Sequence, residues 1–337
     1  MSKISKTFVR LHVYNFSMEK MNTSFTQMMG CKYPIIAAPM FLVSNPEMVI
    51  ETTLAGGIGT FPTLNCRSTE ELDLWLIQIK EKVGNLPFGV NLILHGSNTR
   101  LEADKEVVFK HKVPLIISSL GNPQKLLSEA RPLGIKVICD VINTKHAKKA
   151  VAVGVDGLIV VSTGAGGHAG TLSPFCSLPF FKEMFPDTPI IAAGGISSGD
   201  QLAASLALGA SAVSVGTRFI ASKEAKVDEG YKSSIVESGP EDIFMSKALS
   251  GVNASILKTK ESQKFYEWDN SLKGKISQYI TYKFMKSGLK LKKKYSWNNV
   301  WSAGQSVGEV REVLTCKEII NKFINEFVET KTKLERL

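Results

Sequence analysis

The chain has 337 residues, 44% of them apolar and 21% charged, values of ordinary folded domains that exclude a fibrous or mainly disordered protein. At roughly 150 residues per domain this length accommodates two units, or one α/β barrel of about 250 residues with an appendage. The formal charge is +10, from 41 Lys and Arg against 31 Asp and Glu.

That charge is uneven. Residues 271–308 carry eight Lys (Lys273, Lys275, Lys283, Lys286, Lys290, Lys292, Lys293 and Lys294) and no acid. Such a run suits a polyanion or an acidic membrane surface, but aromatic and apolar residues interrupt it as on an amphipathic helix. We read it as solvated surface with no nucleic-acid role. The five cysteines, Cys31, Cys66, Cys139, Cys176 and Cys316, are widely spaced. They suggest neither a zinc knuckle nor a disulfide framework, and a reducing, cytoplasmic setting is the simpler reading. The longest stretch without Asp, Glu, Lys or Arg, Gly157 to Phe181, contains five Gly and two Pro and is no membrane span. The basic amino terminus lacks the apolar run and cleavage site of a secretory signal, so residues 1–30 read as an extension.

From Pro34 to about Ser234 one pattern recurs: a short β-rich apolar run, a turn, then a stretch with helical periodicity. The runs are Pro34–Pro39, Gly57–Pro62, Pro87–Leu94, Val113–Leu120, Lys136–Ile142, Gly157–Thr163, Pro189–Gly195 and Ala212–Phe219. The helices between and after them are Asn45–Ala55, Thr69–Val83, Thr99–His111, Pro123–Leu133, Thr144–Val153, Leu178–Phe185, Ser198–Leu208 and about Ser222–Ser234. Ser198 and Gln201 have capping-box spacing, and Gly134, Gly154 and Gly209 stand as helix stops. Strands buried on both faces read as continuous apolar runs, as these do. Eight such units favour a closed (β/α)8 TIM barrel over residues 31–234, with residues 235–337 as a Lys-rich, mainly helical cap packed on it.

In such barrels chemistry sits at the carboxyl ends of the strands. The sixth run leads into a loop in which four of the seven residues Gly164–Gly170 are Gly, among them Gly166 and Gly167, and whose one ionisable group is His168. Backbone without side chains approaches a ligand closely, and imidazole titrates near neutrality, so His168 is the candidate catalytic group. His12, His95, His111 and His146 read as structural. The seventh and eighth runs end in Gly194-Gly195 and Gly216-Thr217, the positions of a recurrent phosphate cradle in this fold. That phosphate could belong to a flavin mononucleotide or to a substrate; spacing alone does not choose. Pro39-Met40, Asn91 and Asp140 end the first, third and fifth runs. An Asn amide both donates and accepts, as pairing with a heterocycle edge requires. Asp140 suits either orienting a ligand or balancing a neighbouring cation. No metal cluster, nucleophile triad or Walker loop is present.

The strings YPIIAAPM, AGGIGTFP, PFGVNL, DVINTKHAKKA, GVDGLIVVSTGAGGHAG, ALGASAVSVGTRF and WSAGQSVG resemble the nitronate monooxygenases, formerly called 2-nitropropane dioxygenases, from about Tyr33 to Gly308. The resemblance implies an FMN-dependent barrel that converts alkyl nitronates and O2 to carbonyl compounds and nitrite. It implies that backbone around Ala38, Pro39 and Met40 lies against the flavin ring and that Asn91 binds FMN. It further implies that Gly194, Gly195, Gly216 and Thr217 hold the FMN phosphate and that His168 is the base or orients the anion. Some relatives carry Lys at the position of Asp140, contacting the flavin; the carboxylate here is a departure, since it disfavours a reduced anionic flavin. The alternative within the resemblance is an NAD(P)H-dependent FMN reductase acting on enoyl-acyl-carrier-protein or quinone. The sequence leaves the oligomeric state open, a homodimer being one option.

Overall fold

The computed structural model describes residues 19–247, 253–271, 274, 276 and 300–337. The Lys-rich tract and the first 18 residues lie outside them, so the surface reading of that tract is not addressed by the fold. Among the described residues no helix is long and apolar enough to cross a membrane.

Eight parallel strands close into a barrel: β1 (Ile35–Ala37), β2 (Ile58–Pro62), β3 (Gly89–Ile93), β4 (Leu115–Ser119), β5 (Lys136–Val141), β6 (Gly157–Val161), β8 (Ile190–Ala193) and β9 (Ala212–Val215). Between β6 and β8 in sequence lies a two-residue strand, β7 (Gly167–His168), that belongs to a different sheet. Closure is made by β9 on β1, with Ile35 opposite Val213 and Ala37 opposite Val215. All eight apolar runs expected from the sequence are therefore barrel strands.

Successive side chains alternate between the barrel interior and the helix layer, because a strand has a period of two. In β4, Leu115 and Ile117 point into the barrel beside Ile36, Ile58, Ile138, Ile159 and Ile191, while Ile116 joins the outer core. The interior cluster is completed by Phe25, Met29 and Cys31. Phe25, fully buried, comes from the helix Ser24–Met29, which Thr23 opens with a capping box and Gly30, at φ +77°, ends in the left-handed conformation. Residues expected to belong to an extension thus share the barrel's own core.

The eighth unit differs from expectation. Strand β9 stops at Val215, and Thr217–Ile220 forms a short helix where the sequence reading continued the strand to Phe219. The expected helix near Ser222–Ser234 is instead Glu229–Glu237, packed against Thr217–Ile220 and the 3-10 turn Gln305–Glu309 rather than in the outer ring. The ring position is taken by Cys316–Leu334, which packs on the helices Gly199–Ala207 and Pro46–Leu54. Its Ile319, Ile320, Phe323 and Ile324 are buried on one face. Gly199 makes this approach possible: a Cβ there would lie 2.0 Å from the Phe323 carbonyl oxygen. The Gly199 N–H also donates to Glu326 at 2.8 Å. A division at residue 235 therefore crosses a continuous core.

The segment between is not wholly helical. Strands β10 (Ile243–Ser246) and β11 (Ala254–Leu257) form an antiparallel pair, and β11 in turn pairs with β7. The Ser198–Gln201 capping box is displaced by one residue: the Gln201 side chain accepts from the Ser197 N–H at 2.6 Å, and Ser198 bonds Asp200. Gly134, Gly154 and Gly209 end their helices at positive φ, as expected.

Candidate active site

A cavity of about 800 Å³ opens at the carboxyl ends of the strands. It gathers eleven of the twelve sequence-selected positions together with Gly164 and Ala165, among them Ala38, Pro39, Met40, Asp140, Gly166, Gly167, His168, Gly194, Gly195 and Gly216. Thr217 lines it as well, which leaves Asn91 as the one position outside the wall.

The Gly-rich loop is held from three sides. Its end, β7, is an edge of the small sheet, with His168 opposite Ala254 and Gly167 opposite Ser255. The Gly167 N–H donates to the Ser302 hydroxyl at 2.7 Å, and that hydroxyl donates to the Ser255 carbonyl at 2.7 Å. The Gly164 carbonyl accepts from Gln305 N–H at 3.0 Å and from Gly195 N–H at 3.3 Å. One carbonyl thereby ties together the His168 loop, the loop after β8 and the segment 301–306. Trp301 and Ser302 also line the cavity, and Trp301 stacks on Tyr231 at 4.9 Å with an interplanar angle of 9°. The Tyr231 hydroxyl bonds the Ser302 backbone, accepting its N–H at 3.1 Å. Reading the strand ends one by one could not find this clamp; the only sequence signal was the WSAGQSVG string.

His168 faces the cavity from this loop. Surrounding protein penalises the charged ring and pushes its pKa below the ordinary imidazole value, so the neutral, proton-accepting form prevails at neutral pH. His111 instead pairs with Asp73 at 2.7 Å and His95 with Ser97 at 2.9 Å, neither lining the cavity.

Asp140 also lines the cavity, near the end of β5, the strand paired with β6. Burial raises its pKa to about 6, while the hydrogen bond from Ser119 works the other way. The polarity of that bond is fixed. Asn91 uses its two amide hydrogens on the Ile117 carbonyl at 2.9 Å and the Ser119 oxygen at 2.7 Å, and the Ser119 hydroxyl donates to Asp140, whose ionised carboxylate can only accept. Asn91 is thus buried behind the wall as a support of Asp140, and its donors are not available to a ligand.

The paired-glycine loops are open where a ligand needs room. Gly195, at φ +74°, has nothing within 4 Å of where a Cβ would stand, so a side chain there would project into the cavity it lines. Gly194, at φ +108°, is pressed against the Gly-rich loop instead, its Cβ position 2.9 Å from Ala165 N and 3.0 Å from the Ser162 carbonyl. Thr217 is committed inside the protein, its hydroxyl accepting from Gly304 N–H at 2.9 Å. Among the described residues no group of His, Cys, Asp and Glu could hold a metal ion. Of the free cysteines, burial pushes Cys31, Cys66 and Cys316 up to about 12, which leaves them unreactive.

The chain is 27% identical over 92% of its length to a (3aS,4S,5R,7aS)-5-hydroxy-7a-methyl-1-oxo-octahydro-1H-indene-4-carboxyl-CoA dehydrogenase of Rhodococcus jostii, covering 97% of that protein. It is 26% identical over 85% of its length to a probable nitronate monooxygenase of Staphylococcus saprophyticus, covering 92% of it. Among solved structures, FabK from Thermotoga maritima superposes with a TM-score of 0.81 at 29% identity, covering 94% of this chain and 99% of that one. A nitroalkane oxidase from Streptomyces ansochromogenes, at 22% identity and a TM-score of 0.76, shares the fold. The nitronate monooxygenase family model matches residues 22–326, and the chain belongs to that family of oxidoreductases.

Proposed function

We propose that the protein binds FMN in this cavity and oxidises alkyl nitronates with O2 to carbonyl compounds and nitrite, accepting neutral nitroalkanes after removing a proton. The observation that carries this reading is His168, on a glycine loop held by three separate contacts, facing a cavity that Gly195 and Gly216 also line. The residues suit the cofactor: Gly195 leaves a space that any Cβ would fill, and Met40, Ile159 and Val161 offer apolar wall to a flat ring. Gly194, Gly195, Gly216 and Thr217 would hold the phosphate through backbone, and Ala38 to Met40 would lie along the ring. When bound, the flavin accepts the electrons of the substrate and passes them to oxygen.

The chain's own groups bind, orient and move a proton. With a neutral nitroalkane, a His168 nitrogen takes the α-proton, work suited to an imidazole kept neutral by its surroundings. With a nitronate no proton needs removing, and His168 serves by donating a hydrogen bond to a nitro oxygen. Trp301 and Val300 also line the cavity and help keep bulk water from the reacting carbon.

The dehydrogenase of Rhodococcus jostii, similar over most of both chains, favours a second reading, a reductase or dehydrogenase using NAD(P)H. Anaerobic mixing separates the two. The first reading requires that nitronate bleach the flavin and that NADH do so slowly or not at all; rapid stoichiometric bleaching by NADH selects the second. Heat release of the bound cofactor should yield FMN, and recovery of FAD would reject the FMN assignment.

A further inference from the structure

The chain leaves β1 through a tight turn, Met40 to Ser44, in which Leu42 takes φ +61°, a left-handed conformation that an L side chain disfavours about tenfold. The turn contains no Gly, Asn or Asp, so its own sequence does not call for that conformation. It is imposed by Asn65, which ends the 3-10 turn Thr63–Asn65 after β2. Both ends of the Asn65 amide are spent on this turn: Oδ1 accepts from Leu42 N–H at 3.0 Å, and Nδ2 donates to the Met40 carbonyl at 3.0 Å and the Ser44 carbonyl at 2.7 Å. The Ser44 hydroxyl completes the frame, accepting from Met40 N–H at 2.9 Å and donating to the Ala38 carbonyl at 3.3 Å. The backbone N–H and carbonyl of Met40 are therefore both committed inside the turn. What Met40 offers the cavity is its thioether side chain, whose Sδ lies 3.6 Å from where a Cβ of Gly216 would stand. Asn65 itself is not among the residues lining the cavity, so any effect it has on a ligand passes through the turn.

We propose that Asn65 is a positioning residue for the cofactor. By holding Met40 to Ser44 in this one conformation it keeps the Ala38–Met40 wall formed before the flavin ring arrives. The inference rests on the FMN reading for the identity of the ring and adds a residue that the strand-end rule does not single out. Three hydrogen bonds from one short, rigid side chain together outweigh the cost of a single left-handed Leu. Without them the turn relaxes toward negative φ at Leu42, carrying Met40 with it, and the cofactor binds only the fraction of molecules in which the wall is in place.

The test is FMN binding by full-length protein freed of cofactor, followed by flavin fluorescence, for the parent, Asn65→Ala, Leu42→Gly and the double variant. Asn65→Ala is expected to raise the FMN dissociation constant roughly tenfold, since apparent affinity falls with the fraction of competent molecules. It should also alter the visible circular dichroism of bound flavin, which reports the surroundings of the ring, while the Tm of cofactor-free protein stays close to the parent's. Glycine adopts positive φ freely, so the same Asn65→Ala change made in the Leu42→Gly background should cost at most about threefold. A purely structural Asn65 would lower the Tm and cost the same in both backgrounds. That result overturns the proposal, as does an Asn65→Ala protein with the parent's FMN affinity and flavin spectrum. Should the parent bind no FMN, the cofactor reading fails, and amide hydrogen exchange of the peptide spanning residues 40–44 decides whether Asn65 sets the wall. Faster exchange confined to that turn in Asn65→Ala supports it; exchange that is unchanged, or faster throughout the barrel, overturns it.

Discussion

Gly304 lies against Gly164 so closely that a Cβ on residue 304 would stand 2.3 Å from the Gly164 carbonyl oxygen. That oxygen is the point where the His168 loop, the Gly195 loop and the segment after Trp301 are joined. The same Cβ would be 2.8 Å from Gly166 N, so the collision is with backbone on both sides and no rotamer relieves it.

Gly304→Ala should therefore leave a folded barrel with a displaced active-site loop. Overpacking of this kind costs typically 1–3 kcal/mol, tolerable for a domain of this size, but a shift of about 1 Å in the loop carries His168 with it. Circular dichroism close to the parent with cofactor content and turnover sharply reduced is the expected pattern. Full turnover in the variant would show that the junction is not required.

Two glycines allow backbone strain to be separated from loss of ligand space. Gly195 and Gly30 have φ of +74° and +77°, and neither has an atom within 4 Å of a Cβ position. Replacing either with Ala costs about 1 kcal/mol in left-handed conformation. Only Gly195 lines the cavity, so only Gly195→Ala should lose cofactor affinity, read by fluorescence titration with FMN. Equal affinity in both variants would remove Gly195 from the binding site.

His168→Asn should lower turnover of neutral nitroalkanes by roughly 10²–10⁴-fold, because an amide cannot accept the α-proton. Loss on preformed nitronate should be smaller, since one hydrogen bond to an anion contributes only about 1.5–3 kcal/mol. The depressed pKa of the ring places the acid limb of the nitroalkane profile below the ordinary imidazole value, with activity lost as pH falls and the base becomes protonated. Equal losses on both substrates would assign His168 to orientation alone.

Much of this was legible in the sequence because the strands of a parallel barrel are continuous apolar runs, and each strand end is by rule a site position. Three features were not. Cys316–Leu334 reads locally as an amphipathic helix, but nothing in its periodicity says that it packs beside a helix more than a hundred residues earlier. Phe25 and Met29 lie in a six-residue segment too short to show a periodicity, and their role becomes plain only once the barrel floor is built. Asn91 ends a strand as a ligand residue would, and only the positions of Ile117 and Ser119 reveal that its donors are spent inside.

Asp140 gives a stability prediction with a definite sign. Its carboxyl has a pKa of about 6 in the folded protein, above the ordinary 3.8, so the folded state binds the proton more tightly than the unfolded chain. Ionisation therefore destabilises the fold progressively as pH rises between those values, by an amount of the order of 3 kcal/mol. Asp140→Asn, which keeps an acceptor for Ser119, should raise the Tm of cofactor-free protein at pH 8 and give no advantage at pH 4. A gain independent of pH would mean that burial of the charge is not its cause.

The most direct test of the nitronate assignment is oxygen consumption by the purified yellow protein on adding an alkyl nitronate, with nitrite measured in the same vessel. The expected result is immediate oxygen uptake with nitrite released and no requirement for NADH. Oxygen uptake that begins only when NADH is supplied, with no nitrite formed, would contradict it.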